Sequence, residues 1–100
     1  MSAKNELLER CVAQLAKIGK VADETKLERI IDAFGPSAYN EDAQLIAFSD
    51  EQEVARFMNS NVNAKFGVMV DDGAVEYLKS QFAGINQRLR VVAYYLLMNK

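Results

Sequence analysis

The 100-residue sequence contains no histidine and only one cysteine, Cys11. Without histidine, a Ser/His/Asp or Cys/His catalytic relay is excluded, and so is any zinc site that uses histidine. A single cysteine cannot form an internal disulfide or a thiolate cage for a metal ion. The five glycines are scattered, so the chain has no glycine-rich loop that would cradle a phosphate. We therefore expect a protein that is not an enzyme and has no metal, no cofactor and no small-molecule substrate.

Long apolar runs are also missing, since a transmembrane helix needs roughly 20 apolar residues in succession. The apolar run at residues 91–98 is much shorter and lies between Arg90 and Lys100. A helix that is apolar on every side has no face to offer water, so it must lie among other helices. We predict an apolar C-terminal helix in the core of the fold and no membrane segment.

The balance of charge gives little reason to expect nucleic acid or an anionic membrane as a partner. The formal net charge is −2, so no overall positive field would attract either one. The lone cysteine favours a reducing compartment. The first residues lead into charged, helix-like sequence without an apolar signal region. We expect a cytoplasmic protein without a general attraction to nucleic acid, although a local basic patch could still matter.

Apolar residues recur every three or four positions through much of the chain, which is typical of helices with one buried face. We predict helices over residues 2–18, 23–34, 50–58 and 72–82, followed by the closing helix. A further short helix is predicted over residues 40–47, although residues 45–48 could instead form an extended buried turn. The sequence therefore predicts an all-α fold, with residues 1–100 forming one compact domain of five or six short helices.

The ends of these helices carry recognisable signals. Gly19 is predicted to end the first helix, and Gly35-Pro36 the second, with Gly35 in a left-handed cap conformation. Ser49 is predicted to cap the next helix, with Gln52 at the capping-box position. Residues 59–63 are rich in asparagine and serine, which compete for backbone hydrogen bonds, so we expect that helix to fray or bend there. Asn86 is the predicted cap of the closing helix.

Several short motifs together resemble a known family. They are GPSAYN at residues 35–40, Ser49-Asp50, Lys65-Phe66-Gly67 and RVVAYYLL at residues 90–97. With these motifs the chain resembles a family of small bacterial proteins known as domain of unknown function 2853. The resemblance implies a compact helical bacterial protein and brings no activity or catalytic residue with it. The chain departs from the family pattern at residues 67–73, where it reads Val68-Met69-Val70-Asp71-Asp72.

The side chains that could carry chemistry are mainly carboxylates. Two groups at predicted helix starts could meet in space and make an acid/base pair; they are Glu41 and Asp42, and Asp50, Glu51 and Glu53. Acidic residues at helix starts are more simply explained by the helix dipole. Asp71-Asp72-Gly73 resembles part of a calcium loop, but that register places Val68 where the first carboxylate is required. Cys11 lies in an apolar helix stripe and is expected to be a buried, inert thiol.

Two hypotheses about function remain. The first is a non-enzymatic interaction or regulatory module, in which the loop at residues 36–40 and the neighbouring acidic helix start contact an unknown protein partner. Tyr39, Asn40 and Asp42 are its candidate residues, although Tyr39 could instead anchor the loop in the core. The alternative is nucleic-acid or anion binding by a local basic patch near the closing helix. That patch would consist of Lys79, Arg88, Arg90 and Lys100.

Overall fold

A computed structural model describes residues 3–40 and 44–99, apart from the side chain of Ser37. Within these ranges the chain forms six α-helices and one short 3-10 helix. They are α1 (Ala3–Ile18), α2 (Glu24–Phe34), the 3-10 helix (Gly35–Tyr39), α3 (Glu51–Met58), α4 (Asn61–Lys65), α5 (Asp72–Gln81) and α6 (Arg90–Met98). The only strand-like pairing in the described ranges is an isolated antiparallel bridge between Leu45 and Leu89. The predicted all-α class is confirmed.

Glycine ends the first two helices, as predicted. Gly19 has a φ of 94°, and its N–H donates to the Ala16 carbonyl at 3.1 Å while that of Lys20 reaches the Leu15 carbonyl at 2.9 Å. This is the Schellman arrangement, which satisfies the last carbonyls of a helix. At the end of α2, Gly35 has φ 63° and ψ −146°. That conformation is accessible essentially only to glycine, but it is extended and not left-handed helical as predicted.

Two predicted helix caps are wrong. Asp50, not Ser49, caps α3, because its carboxylate accepts from the backbone N–H groups of Gln52 and Glu53. Leu89, not Asn86, precedes α6, and its side chain makes no capping hydrogen bond. In the first case two adjacent cap-forming residues compete for one position, and in the second the helix begins three residues later than Asn86 would place it.

The segment before α3 is also corrected. Residues 41–43 lie outside the described residues, and in the rest of the helix predicted over 40–47 Gln44 is helical, with its N–H donating to the Asn40 carbonyl at 2.9 Å. Leu45 pairs with Leu89, and the Ile46 N–H donates to the Arg88 carbonyl at 2.9 Å. Residues 45–47 are therefore not helical, and the alternative of an extended buried segment is the one that the structure shows.

The closing helix α6 lies in the core, as predicted. Every residue from 91 to 96 is buried, and the helix packs against α1, α2 and α5. The Tyr94 ring contacts three phenylalanine rings, with centroid distances of 5.4 Å to Phe34, 5.2 Å to Phe57 and 5.3 Å to Phe66. Such tilted aromatic contacts add to the stabilisation from area burial alone.

One buried polar side chain is built into this aromatic core. Asn63 in α4 is 7% exposed. Its Oδ1 accepts a hydrogen bond from the Tyr94 hydroxyl, and its Nδ2 donates to the carbonyls of Phe57 and Met58 at 2.7 and 3.3 Å. The helix break expected at residues 59–63 is present, since α3 ends at Met58 and α4 begins at Asn61. The amide of Asn63 holds that break against the core.

None of the helices in the described ranges has the length and apolar character that crossing a bilayer requires. Even α6, the most apolar of them, has only nine residues.

Candidate functional site

The non-helical segment at residues 84–89, between α5 and α6, is held from two sides by polar contacts. On one side the Gln14 side chain donates from Nε2 to the Gln87 carbonyl at 2.6 Å and accepts at Oε1 from the Leu89 N–H at 2.9 Å. On the other side, Ile46 donates to the Arg88 carbonyl. Because the two halves of the Gln14 amide satisfy one carbonyl and one N–H, α1 fixes the position from which α6 starts.

Three adjoining clefts open around this segment. The α1 cleft, of about 520 Å³, lies between α1 and residues 84–89. The Arg88 cleft, of about 530 Å³, lies between residues 45–49 and residues 85–88. The Tyr39 cleft, of about 410 Å³, lies between the start of α1, Tyr39 and Gln87. We call the three together the cleft face, because each pair of clefts shares at least one lining residue.

The charges differ from cleft to cleft. Of the residues that the structure describes, the charged ones that line the α1 cleft are Arg10 and Lys17, and those that line the Tyr39 cleft are Glu6 and Arg10. Arg10 Nη1 also donates to Gln44 Oε1 at 2.9 Å, which ties α1 to the start of the 44–49 segment. In the part of the chain that the structure describes, neither Arg10 nor Lys17 forms an ion pair.

The Arg88 cleft is built around a fixed guanidinium. Arg88 Cζ lies 5.5 Å from the centroid of the Phe48 ring, and its Nε donates to the Ile85 carbonyl at 3.0 Å. Stacking on an aromatic face and a backbone hydrogen bond together hold the side chain in one orientation. Across the cleft, Glu53 Oε2 accepts from the Ala47 N–H at 2.7 Å.

The structure brings one of the three predicted partner-binding residues to the cleft face. Tyr39 is 37% exposed and lines the Tyr39 cleft. Asn40 is exposed beside it but lines none of the three clefts. Asp42 lies outside the described residues. The ring of Tyr39 is thus neither sealed in the core nor fully displayed.

The four cations of the alternative hypothesis lie in different surroundings. Lys79 pairs with Glu76 at 3.5 Å and lines a cleft in which the other charged residues among those described are acidic. Arg88 lies in its own cleft, and Arg90 is partly buried, with no hydrogen-bond partner for its Nε among residues 3–40 and 44–99. Lys100 is outside the described residues. Lys79 and Arg88 therefore do not share a cleft.

Two of the carboxylates considered for acid/base chemistry, Asp50 and Glu53, have structural roles, whereas Glu51 is exposed in the first turn of α3. Asp50 caps α3, and Glu53 holds the Ala47 N–H. Asp71 caps α5 by accepting from the Ala74 N–H at 2.8 Å, so the carboxylate of the calcium-like motif already has a partner. No group of three or more metal-binding side chains occurs within the described ranges. Glu41 and Asp42 are not among the residues described.

Cys11 is sealed in the core. Its side chain is 0% exposed, and burial raises the pKa of the thiol to about 12. The thiolate, not the thiol, is the reactive form. At neutral pH the folded protein therefore holds an unreactive cysteine, in agreement with the apolar stripe in which the sequence places it.

The family described as "Protein of unknown function (DUF2853)" matches residues 11–100. The chain belongs to this family. The resemblance drawn from the short motifs is thus confirmed. No curated protein matches the chain in sequence. Within the α1 cleft, the match includes every lining residue except Arg10.

Sequence reasoning missed the cleft face. Gln14 lies on the polar side of α1, and nothing in its neighbourhood in the chain marks it as the residue that holds Leu89, which is 75 positions away. The segment at residues 84–89 reads as an ordinary connection between two helices. The only signal was the mixture of glycine, asparagine and glutamine there, which is typical of irregular structure.

Proposed function

We propose that this protein is a non-enzymatic interaction module of the bacterial cytoplasm, and that a protein partner binds its cleft face. The observation that carries the proposal is the arrangement of three adjoining clefts around one segment, residues 84–89, which Gln14 and Ile46 hold in place. Such preorganisation favours binding because little conformational entropy remains to be lost when a partner arrives. The single cysteine supports the cytoplasmic setting, and the family resemblance supports the bacterial one.

The state of the reactive groups supports a binding role over catalysis. The Cys11 thiol is buried and its pKa is about 12, and Asp50, Glu53 and Asp71 are occupied with backbone N–H groups. The chain has no histidine. A catalytic acid or base needs a pKa near the working pH and access to a substrate. The concave surface is therefore better suited to recognition than to chemistry.

A protein partner is favoured over nucleic acid by the charges. Nucleic-acid binding by the cations near α6 would need several of them on one continuous surface. Lys79 is paired with Glu76 and is surrounded by further acidic residues. The whole chain carries a net charge of −2, which opposes approach to a polyanion.

Filling the α1 cleft tests the proposal. Ala13 is exposed on α1 and lines this cleft, whereas Ala16 is exposed on the same helix and lines none of the three clefts. Ala13→Met should remove a partner that the wild-type chain captures from native extract, as measured by quantitative mass spectrometry. Ala16→Met is the matched control, and it should retain the partner.

Both methionine variants should keep the wild-type melting temperature, because methionine is a good helix former at an exposed site. If the Ala13 and Ala16 variants capture the same set of proteins at the same levels, the α1 cleft is not a binding surface. A partner lost by both variants would equally contradict the proposal, since that loss could not be assigned to the cleft.

Tyr39 allows a second test at the other end of the cleft face. The ring lines the Tyr39 cleft and is 37% exposed, so Tyr39→Ala should lower capture of the same partner while changing the melting temperature by only about 2 to 4 °C. A large fall in melting temperature, with capture falling only as the folded fraction falls, would show instead that Tyr39 is an anchor of its loop.

A further inference from the structure

The α1 cleft is lined by charge of one sign. Among the residues that the structure describes, the charged ones that line it are the cations Arg10 and Lys17, although the chain as a whole has a net charge of −2. Cations gathered in a concave site raise the local concentration of anionic groups, because the low-dielectric walls focus the field. The cleft is thus locally suited to an anionic ligand within an acidic protein.

These two cations are available to a ligand. The ion pairs seen in the described ranges lie elsewhere, between Lys4 and Asp32 and between Lys79 and Glu76. Arg10 uses Nη1 on Gln44, which leaves further guanidinium N–H groups, since arginine carries five donors. Lys17 is exposed and has no side-chain partner in residues 3–40 and 44–99. A bound anion would therefore not have to break an existing ion pair.

The remainder of the lining favours a peptide over a simple phosphate. Asn86 and Gln87 are exposed on the far wall, and their amide side chains can both donate and accept hydrogen bonds. A peptide backbone presents both kinds of group, whereas phosphate offers mainly acceptor oxygens. Ala13 and Ile85 add apolar surface to the same cleft, which suits the aliphatic part of a peptide side chain.

The spacing of the cations indicates a spacing for the ligand. Arg10 and Lys17 are seven positions apart on α1, which corresponds to about 10 Å along a helix axis. In an extended polyproline II chain, residues three positions apart lie on the same side and are separated by about 9 Å. Two carboxylates with that spacing would each reach one cation.

We propose that the α1 cleft binds an extended acidic segment of the protein partner, with two carboxylates three positions apart, one at Arg10 and one at Lys17. This rests on the proposed function, because it names the chemistry of the partner that the cleft face is proposed to bind. The amide side chains of Asn86 and Gln87 would hydrogen-bond the peptide backbone between the two carboxylates.

A short blocked peptide with two glutamates three positions apart is the probe. Titrated into the isotope-labelled full chain at low ionic strength, it should cause saturable NMR shifts in the amides of residues 10–17 and 84–89. The same peptide with glutamine in place of both glutamates should bind at least about fivefold more weakly. Raising the salt concentration should weaken binding of the glutamate peptide, since the ion pairs are at the surface.

Two double variants with the same change in net charge separate local from overall electrostatics. Arg10→Gln/Lys17→Gln should raise the Kd of the glutamate peptide roughly fivefold. Arg56→Gln/Lys65→Gln removes two exposed cations that line none of the three clefts, and it should change the Kd by less than about twofold. Circular dichroism should show that both double variants are folded, because all four positions are exposed.

Several results would overturn the inference. If the glutamate and glutamine peptides bind equally well, the cleft does not recognise carboxylates. The same conclusion follows if the two double variants raise the Kd of the glutamate peptide by the same factor. Displacement of the peptide by inorganic phosphate or duplex DNA at equal concentration would assign the cations to a different anion. If the peptide fails in these ways while Ala13→Met still removes the captured partner, the proposed function stands and only the acidic segment is wrong.

Discussion

Residues 84–89 and helix α6 follow one another in the chain but are held by different forces. The helix is held by apolar burial, with residues 91–96 all inside the core. In the segment before it, Leu89 is buried and Ile85 is partly buried. Hydrogen bonds with Gln14 and Ile46 hold its backbone, and the three clefts open around it. The core tolerates few changes because it is close-packed, whereas the clefts leave room for a ligand. Under the proposed function, stability and recognition belong to adjacent stretches of the chain.

Polar groups show the same division. In the core, Asn63 and the Tyr94 hydroxyl satisfy one another and are cut off from water, so their hydrogen bonds serve only the fold. At the cleft face, Arg10, Lys17 and Asn86 are exposed and can exchange water for a partner. A buried polar group with a hydrogen-bond partner helps to select one fold. An exposed polar group can instead help to select a binding partner.

The largest expected effect tests the burial of α6. Leu96 is 2% exposed, whereas Leu97 is partly buried. Leu96→Ala should lower the free energy of unfolding by about 2 to 5 kcal/mol, because the core cannot fully close over the missing side chain. Leu97→Ala should cost roughly half as much or less. Urea denaturation measures both, and losses below about 1 kcal/mol in the two variants would contradict a central helix.

A smaller effect tests the sealed hydrogen bond. Tyr94→Phe leaves the Oδ1 atom of Asn63 without its donor in the core, which should lower the free energy of unfolding by about 1 to 3 kcal/mol. Tyr95→Phe is the control on the same helix. Its hydroxyl donates to the Val21 carbonyl at 3.1 Å and accepts from the Asp23 N–H at 3.0 Å, and both contacts are only partly buried. Water can replace the hydroxyl at these two backbone groups, so the loss should be smaller. If Tyr95→Phe lowers the free energy of unfolding more than Tyr94→Phe does, the buried Tyr94 hydrogen bond is not the more stabilising of the two.

The Cys11 thiol predicts a pH dependence of stability. Burial raises its pKa from 9.0 to about 12 in the folded chain, so the folded state keeps a proton that the unfolded state releases above pH 9. Stability is then fully present below pH 9 and falls as pH rises from 9 toward 12. From pH 9 to 10, the wild type should lose about 1 kcal/mol more than Cys11→Ala.

Denaturation curves of the two proteins at both pH values measure that difference, since titration of the other groups cancels in the comparison. Alkylation gives an independent check, with slow labelling of folded Cys11 and fast labelling after unfolding. Rapid labelling of the folded protein, or parallel pH curves for the two proteins, would show that the thiol is accessible.

The smallest effect on global stability is expected at the cleft face. Gln14→Met keeps the length of the side chain but removes its hydrogen bonds to Gln87 and Leu89, at a cost of about 0.5 to 1.5 kcal/mol. Hydrogen exchange should show the change locally, with faster exchange of the Leu89 amide and unchanged exchange of the Val92 amide. Equal acceleration at both amides would mean that the segment and α6 open as one unit, and the contrast between them would disappear.

Local patterns account for the successful predictions. A helix is predicted over residues 23–34, and α2 starts there because the Asp23 carboxylate accepts from the N–H groups of Thr25 and Lys26; its end at Gly35 is also as predicted. Both are signals within a few residues of the helix end. The buried stripe containing Cys11 follows from the helical period in the same way. Such features need no knowledge of the rest of the chain.

The failed predictions involve competition that the local sequence does not resolve. Ser49 and Asp50 are both residue types that cap helices well. The observed cap is Asp50, and the Glu53 side chain accepts a hydrogen bond from the Ala47 N–H next to it. Asn86 is a better intrinsic cap than Leu89, yet Leu89 precedes α6 because Gln14 of α1 accepts its N–H. In both places a side chain beyond the cap itself decides the outcome.

The sequence by itself determined that this protein is all-α and that residues 91–96 are buried, because hydrophobic period and composition act through local helix formation and water exclusion. Only the tertiary structure decided that Asn63 would satisfy Tyr94 and that Gln14 would hold the 84–89 segment, since these contacts join residues 31 and about 75 positions apart. The cleft face exists for the same reason. A cleft is the space between surfaces that meet only after folding, and no single stretch of the chain encodes it.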